Sequence, residues 1–290
     1  MLCVPNAFRL SRRIYGSSFI LLMKTFTAVN ETTLREFTDG VYPQGSFCFN
    51  ALLKGKDIKV NGVRCKTNIK LSAGDEVVYY TTPGQEALPS HKVVYEDENI
   101  IVADKYSGVS SEGLFSELSS KGECYFVHRL DRNTSGLIIF AKTKETEDGL
   151  LTAFKLRKVH KTYIALCKNC FKRQKGVLKD FIVKADGGVK ISKEFCAGAK
   201  TAITGYEILE DRGDIALVGF TLYTGRTHQI RAHTASIGCP VLGDEKYGDG
   251  LLNAKYGARR QKLVAKYLKF ELDGKLSYLN DLSFESSFGL

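Results

Sequence analysis

The chain has 290 residues, of which 43% are hydrophobic and 26% are charged, and this balance excludes a protein that is disordered throughout. Apolar runs are much shorter than the roughly 20 residues that a bilayer-crossing helix needs, so a soluble protein without a membrane partner is expected. The 42 Lys and Arg residues exceed the 32 Asp and Glu residues by ten. Such a charge favours polyanionic partners such as nucleic acid, although it does not indicate a fold.

The N-terminal segment, residues 1–22, is an uncertain extension. The first 30 residues contain no acid, and their apolar cluster is short for a secretion signal. A transit peptide, a poor secretion signal and an upstream extension ahead of Met23 all fit this composition, and the extension is the preferred interpretation. The eight cysteines are scattered without a disulfide framework, which favours the reducing cytoplasm.

A small α+β unit is predicted over residues 23–82. Asn61-Gly62 suits the two-residue turn of a β-hairpin, and Gly55 ends a segment with apolar residues at helical spacing. The predicted elements are one helix and three strands, in chain order Phe47–Lys54, Ile58–Val60, Val63–Cys65 and Glu76–Tyr80. Residues 83–90, with Pro83, Gly84 and Pro89, are typical of a linker.

Residues 91–290 are predicted to form a larger domain. Apolar β-prone runs and two amphipathic segments indicate strands at Lys92–Tyr95, Ile100–Ala103, Tyr125–Val127, Leu137–Phe140, Thr162–Cys167, Thr201–Leu209 and Asp214–Leu222, and helices at 144–158 and 227–237. Many strands at irregular spacing with few helices favour an α+β fold built on a mixed, largely antiparallel sheet.

A polar loop between two of these strands, His128 to Gly136, is the first candidate for chemistry. Loops whose ends are fixed by strands commonly carry function. Asp131 lies between Arg129 and Arg132, and neighbouring cations keep a carboxylate ionised at neutral pH. Asp131 is therefore a candidate nucleophile or base, against the alternative of a salt-bridged structural turn.

The second candidate segment runs from Leu222 through a Gly turn into the predicted helix over 227–237. His228 and Arg231 are three residues apart, so on that helix they share a face. An ordinary polar helix face is the alternative. Metal binding is not expected, since His228 and His233 are five apart and the CxxC at Cys167 and Cys170 has no second ligand pair.

Three segments in this order, HRLDRNTSGLIIFAKT, KTYIALCK and GRTHQIRAHTASIGCPVLGDEKYG, resemble the catalytic core of the RluA/RluD-type pseudouridine synthases. The resemblance covers about residues 91 to 270. It implies an enzyme that isomerises uridine in RNA without a cofactor. Asp131 matches the catalytic aspartate, Tyr163 the active-site tyrosine, Arg231 the arginine paired with the aspartate, and Arg129 the residue that replaces the extruded base.

The resemblance also bears on RNA binding. The segment ALLKGKDIKVNGVRCKTNIKLSAGDEV resembles the S4 RNA-binding domain, which precedes the catalytic core in many members. His128, Arg226 and His228 are expected to contact RNA beside Arg129. Residues 142–200 hold 15 Lys and Arg against six acids, and this basic segment is expected to hold phosphates. The expected substrate is large-subunit ribosomal RNA, with transfer RNA as the alternative, and a monomer is expected.

Two rival functions remain open. The first is a non-catalytic RNA-binding protein that retains both domains without turnover. The second is a hydrolase that cleaves N-glycosidic bonds through Asp131. Conversion of uridine without release of free uracil separates the isomerase from both rivals.

Overall fold

The computed structural model of the protein describes residues 13–15 and 19–290 apart from residue 186. Most of the predicted N-terminal extension, residues 1–22, lies outside these described residues. By its internal contacts the chain divides into two compact units, one of residues up to 92 with 108–123 and one of residues 93–107 with 124–290. Within the described part of the chain, no helix has both the length and the apolar character needed to cross a membrane.

The first unit contains a twisted antiparallel sheet and short helices. Its elements are β1 (Arg13–Tyr15), β2 (Phe19–Thr27), β3 (Thr32–Thr33), α1 (Leu34–Val41), α2 (Pro43–Gly55), β4 (Ile58–Val60), β5 (Val63–Arg64), β6 (Lys70–Leu71), β7 (Glu76–Thr81) and α3 (Pro83–Glu86). Among the described residues, five strands pair in the order β1-β2-β7-β4-β5. Helix α3 occupies the first half of the segment predicted as a linker.

The predicted hairpin of the first unit is confirmed. Lys59 pairs with Arg64 and Val60 with Val63, while Asn61 and Gly62 both have positive φ, as a type I′ turn requires. The predicted helix lies within α2, and the predicted third strand matches β7. The unit has its own apolar core, formed by residues that include Leu34, Phe49, Leu52, Ile58, Val77 and Tyr79.

The rest of the chain supplies most of the second unit. Its elements in chain order, with α4 belonging to the first unit, are β8 (His91–Glu96), β9 (Ile100–Lys105), α4 (Ser111–Ser119), β10 (Tyr125–Phe126), β11 (Ser135–Ala141), α5 (Lys144–Lys155), β12 (Val159–Lys168), β13 (Lys175–Ala185), β14 (Gly188–Ser192), β15 (Lys200–Arg212), β16 (Ile215–Leu222), α6 (Gln229–Ser236), α7 (Gly250–Lys255), β17 (Leu263–Phe270), a 3₁₀ helix (Gly274–Asp281) and β18 (Ser283–Glu285).

One large sheet organises the second unit. Among the described residues its strands follow the order β14-β13-β15-β16-β12-β17-β11-β9-β8, with β10 beside β11 and β18 beside β17. The β11–β17 pair is parallel, whereas β12, β13, β15 and β16 pair antiparallel with their neighbours. The predicted α+β fold with a mixed, largely antiparallel sheet is therefore confirmed.

Strands β13, β14 and β17 are absent from the sequence prediction. In β13 the lysines at 175, 179 and 184 are exposed. These charged residues obscure the alternation of apolar and polar residues by which a strand is recognised in a sequence. Strand β17 has buried Leu263 and Val264 at its start, followed by alternation of exposed and buried residues, so it carries two patterns in eight residues.

The start of β11 fixes one end of the polar loop. Strand β11 is buried on both faces from Gly136 onwards. Gly136 has a φ of 107°, and a Cβ atom there would lie 2.3 Å from the carbonyl oxygen of Ala265 on β17. A residue with a side chain would therefore separate β11 from β17 and displace the loop that precedes it.

Candidate active site

Asp131 lies in the catalytic-candidate loop, residues 127–134, between β10 and β11. The loop is held by polar side chains of the second unit. Lys105 Nζ donates to the carbonyl oxygen of Arg132 at 3.0 Å, and Ser107 Oγ donates to that of Asn133 at 2.9 Å. The turn closes with a bond of 3.0 Å from the Thr134 amide to the carbonyl oxygen of Asp131. Bonds from a fully buried lysine give this polar loop a defined backbone.

The segment before α6 differs from the prediction. The helix begins at Gln229, not at residue 227, and His228 before it has a left-handed φ of 53°. The Gln229 side chain closes the turn before the helix: its Oε1 accepts from the Arg226 amide at 3.0 Å and from Thr224 Oγ1 at 2.8 Å. The idea that His228 and Arg231 share a helix face is therefore wrong, since His228 lies outside the helix.

Arg231 on α6 joins two carboxylates. Its Nη1 donates to Asp131 Oδ2 at 2.9 Å, while Nε and Nη2 donate to Asp244 Oδ2 and Oδ1 at 2.7 and 3.1 Å. The Asp244 side chain has no exposed surface, whereas that of Asp131 is 19% exposed. A bidentate pair on one side therefore fixes the guanidinium, and the remaining N–H group meets the accessible carboxylate.

Asp244 is held as a carboxylate by its surroundings. Its Oδ1 also accepts from the backbone amides of Lys246 and Tyr247 at 2.9 and 3.1 Å. Burial by itself raises the pKa of Asp244, but the hydrogen bonds and the charge of Arg231, with the two amides, bring the pKa below its ordinary value. Burial also acts to lower the pKa of Arg231, and the two carboxylates reverse this effect and raise it.

Tyr163 on β12 lies within electrostatic range of Asp131. The residue is 6% exposed and pairs with Phe220 of β16 and Ala265 of β17. Burial raises the pKa of the Tyr163 phenol, and the negative charge of Asp131 raises it further. The phenol therefore keeps its proton at neutral pH and presents a neutral hydroxyl on an aromatic ring.

His228 connects Asp131 with a second aromatic residue. Its Nε2 is 3.9 Å from Asp131 Oδ2, and its Nδ1 is 3.0 Å from the hydroxyl of Tyr247. That hydroxyl in turn donates to the carbonyl oxygen of Val189 at 3.1 Å on β14, and the Tyr247 ring lies 5.2 Å from the Arg231 guanidinium. Burial lowers the pKa of His228, although the charge of Asp131 acts in the opposite direction.

The other predicted RNA-binding residues have different surroundings. His128 packs its ring 4.8 Å from that of Phe154, and its Nε2 accepts from the Ile139 amide at 3.1 Å. Arg226 Nε donates to the carbonyl oxygen of Thr201 at 3.1 Å. Arg129 is an exposed residue of the catalytic-candidate loop. Asp131 thus contacts Arg231 and His228, while His128 and Arg226 contact other parts of the unit.

Sequence reasoning missed Asp244, Tyr247 and Lys105 as parts of the site. Asp244 and Tyr247 belong to the third motif, as the D and Y of GDEKYG, but the motif alone does not show which atoms they meet. Lys105 lies in a distant strand and reaches the loop only through the fold. Within the described residues, no group of three His, Cys, Asp or Glu side chains is arranged to hold a metal ion.

Comparisons with known proteins identify the family of this chain. A model of the family described as RNA pseudouridylate synthase matches residues 99–236. "Ribosomal large subunit pseudouridine synthase C" of Rickettsia bellii is 32% identical over 231 residues, covering 69% of this chain and 77% of the relative. The protein of the same name from Escherichia coli (strain K12) is 32% identical over 263 residues, covering 79% and 81% of the two chains.

Two solved structures share the fold. "Human RNA Pseudouridylate Synthase Domain Containing 1" has a TM-score of 0.55 and 27% identity, covering 63% of this chain and 79% of that chain. "Human RNA Pseudouridylate Synthase Domain Containing 4" has a TM-score of 0.53 and 25% identity, covering 65% and 90%.

Proposed function

The chain belongs to the RNA pseudouridylate synthase family, which confirms the family predicted from its motifs, and we propose that Asp131 is the catalytic carboxylate of this isomerase. The observation that carries the proposal is the 2.9 Å hydrogen bond from Arg231 to Asp131. Of the two carboxylates that Arg231 contacts, that of Asp131 is the partly exposed one. Arg231 orients the Asp131 carboxylate, because a charge-assisted hydrogen bond holds one of its oxygens in a defined position.

The reaction sets clear requirements for these residues. Pseudouridine formation breaks the C1′–N1 bond, turns the uracil and joins C5 to C1′; C5 loses its proton and N1 gains one, so that the product is an isomer of the substrate. Asp131 serves either as the nucleophile that attacks C1′ or as the base that takes a sugar proton. In both routes the carboxylate needs free lone pairs, and Asp131 accepts one hydrogen bond from the described residues, that of Arg231.

Tyr163 is proposed to hold the detached uracil. Its ring offers a flat apolar face, and its protonated phenol offers a hydrogen bond as the proton at C5 departs. Because Tyr163 is buried, the uridine reaches it only when the nucleotide is flipped out of the stacked RNA bases, which costs a few kcal/mol. Exposed Arg129 on the same loop is proposed to occupy the vacated position, while His228 and Arg226 contact the flanking RNA.

The substrate is proposed to be large-subunit ribosomal RNA, with transfer RNA as the alternative. Support comes from the relatives named for the large ribosomal subunit and from the basic segment, residues 142–200, whose charge suits phosphates. Residues 23–82 are proposed to act as an S4-like RNA-binding domain ahead of the catalytic domain at 91–290. We further propose a monomer that works in the cytoplasm without a cofactor.

The Asp131→Asn variant tests this proposal. With unmodified large-subunit rRNA transcript as the substrate, we expect turnover to fall at least about 10³-fold, because an amide is neither nucleophile nor base, while RNA affinity stays within a few fold. Asp214→Asn is the control. It makes the same chemical change at a half-exposed aspartate in the turn between β15 and β16, and it is expected to behave as wild type.

The products separate the rival functions. Pseudouridine without free uracil supports the isomerase, free uracil supports an N-glycosidic hydrolase, and binding without either product supports a plain RNA-binding protein. Turnover that survives in Asp131→Asn would contradict the role of this carboxylate.

A further inference from the structure

Lys161 lies beside the proposed catalytic residues but outside their network. It is on β12, two residues before Tyr163, so both side chains emerge on the same face of the strand. The pairing of β12 with β17 shifts by one residue here, because Thr162 pairs with Tyr267 and Tyr163 with Ala265. The extra residue belongs to β17, so the side chains of β12 keep their alternation. Two residues of strand span about 6.6 Å, a separation that one nucleotide bridges.

The ammonium group of Lys161 has no counterion among the described residues. The Nζ atom of Lys161 lies 4.9 Å from the centroid of the Phe154 ring. Burial lowers the pKa of Lys161 to about 8. Three other lysines of the same unit do have a counterion: Lys142 pairs with Glu96, Lys168 with Asp249 and Lys193 with Asp180.

The ring of His128 packs against the same Phe154 ring and carries a second hydrogen-bond donor. Its Nε2 accepts from the Ile139 amide, so the neutral imidazole carries its proton on Nδ1. Nδ1 is buried and makes no hydrogen bond of normal geometry within the described residues. Burial and then the charge of Lys161 lower the pKa of His128 well below its ordinary value, with the Arg129 backbone acting weakly in the other direction.

A cation without a counterion indicates a ligand that supplies negative charge. A desolvated ammonium costs free energy unless an anion compensates it, and a buried N–H group without an acceptor adds to that cost. The reacting uridine is flanked by phosphates, which remain anionic throughout the physiological pH range. An RNA phosphate therefore supplies the negative charge that the ammonium group of Lys161 lacks.

We propose that Lys161, with His128 beside it, binds the RNA phosphate next to the uridine held at Asp131 and Tyr163. This inference rests on the proposed function and assigns one phosphate of that substrate to a defined pair of side chains. The half-buried ammonium would act locally on one phosphate, in contrast to exposed lysines that contribute to a diffuse field.

The test compares Lys161→Met, Lys161→Arg and Lys269→Met on unmodified large-subunit rRNA transcript. Lys269 is an exposed lysine of neighbouring β17, opposite His160, so its replacement removes the same charge from the same sheet. We expect Lys161→Met to raise KM at least about tenfold with kcat changed less than about threefold. Lys161→Arg and Lys269→Met should stay within about threefold of wild type.

Salt and pH supply readouts that a merely structural role would not move. Loss of one phosphate contact should make the slope of log affinity against log salt shallower by about 0.7 in Lys161→Met. Wild-type affinity should fall above about pH 8, where the free ammonium of Lys161 loses its proton, and Lys161→Arg should not show this fall.

The outcomes are decisive in each direction. An unchanged KM in Lys161→Met, or a loss of affinity with an unchanged salt slope, overturns the phosphate assignment while wild-type conversion still upholds the proposed function. Absence of conversion by wild type on both ribosomal and transfer RNA overturns the function itself.

Discussion

The two segments that meet at Arg231 use the same carboxylate group in opposite ways. Asp131, on the catalytic-candidate loop, is 19% exposed and accepts one hydrogen bond from the described residues, whereas Asp244 has no exposed side-chain surface and accepts four. The arginine is thus anchored from behind by Asp244, and its position does not depend on Asp131. This difference leaves Asp131 with lone pairs for a substrate.

The contrast has a physical cause in the backbone around each aspartate. Asp244 faces the amides of Lys246 and Tyr247, which turn toward it within three residues of chain. The loop of Asp131 is held through its carbonyl groups instead, by Lys105 and Ser107. Fixing a loop through its carbonyl oxygens spares the carboxylate, because none of the fixing groups bonds to it.

The largest expected effect is a loss of folding stability in the Asp244→Asn variant. Removing one member of a buried, hydrogen-bonded ion pair leaves an uncompensated charge, so the free energy of unfolding should fall by about 3–5 kcal/mol. For Asp131→Asn, at the partly exposed end, we expect a change of less than about 1 kcal/mol. Urea denaturation followed by circular dichroism measures both, and equal losses would contradict the division between anchor and reactive group.

The Arg231→Lys variant breaks the link between the two segments. An ammonium group lacks the planar fork that serves both carboxylates, so either Asp244 or Asp131 loses its partner. We expect the free energy of unfolding to fall by about 2 kcal/mol, and kcat to fall about 10²-fold if orientation of Asp131 matters as proposed. A variant with near wild-type kcat would show that the 2.9 Å contact has no part in turnover.

Part of this site follows from sequence and part does not. Strands on either side of His128 to Gly136 are readable from apolar runs, so the loop and its position between β10 and β11 are predictable. The hairpin at Asn61-Gly62 is equally local, because its turn depends on the two residues within it. Features set by neighbours in sequence are recovered.

Features that depend on contacts between residues distant in the sequence are not recovered from the sequence. The role of Asp244 depends on Arg231 thirteen residues earlier and on amides that turn toward it only in the fold. The left-handed backbone of His228 is rare for a residue other than glycine, and it accompanies a turn that the side chain of Gln229 closes. A helix prediction from periodicity therefore starts too early at this point.

Acid should weaken the fold through His128, the second residue of the catalytic-candidate loop. Its folded pKa lies below the unfolded value of about 6.5, so the unfolded chain takes up the proton first and stability falls as the pH drops below that value. One such histidine gives a slope of up to about 1.4 kcal/mol per pH unit. Urea titrations between pH 7 and 5 should show a shallower slope in His128→Gln than in wild type.

Exposed His160 supplies the control for that experiment. It lies on the same sheet and contacts Glu271 at the surface, so His160→Gln should leave the slope close to that of wild type. If both variants lower the slope equally, the pH dependence does not come from burial of His128 and the loop has no special sensitivity to acid.

The smallest effect is expected for Tyr247→Phe. The segment 244–247 reaches Asp131 in two ways, through Arg231 and through His228, and this variant separates them. The variant keeps the aromatic ring over Arg231 and the amides on Asp244, but removes the hydroxyl that contacts His228 and Val189. Loss of one partly buried hydroxyl should cost about 1 kcal/mol of unfolding free energy. If the segment acts through Arg231, kcat should change less than about threefold, whereas a loss comparable to that of Arg231→Lys would assign the control of Asp131 to His228 instead.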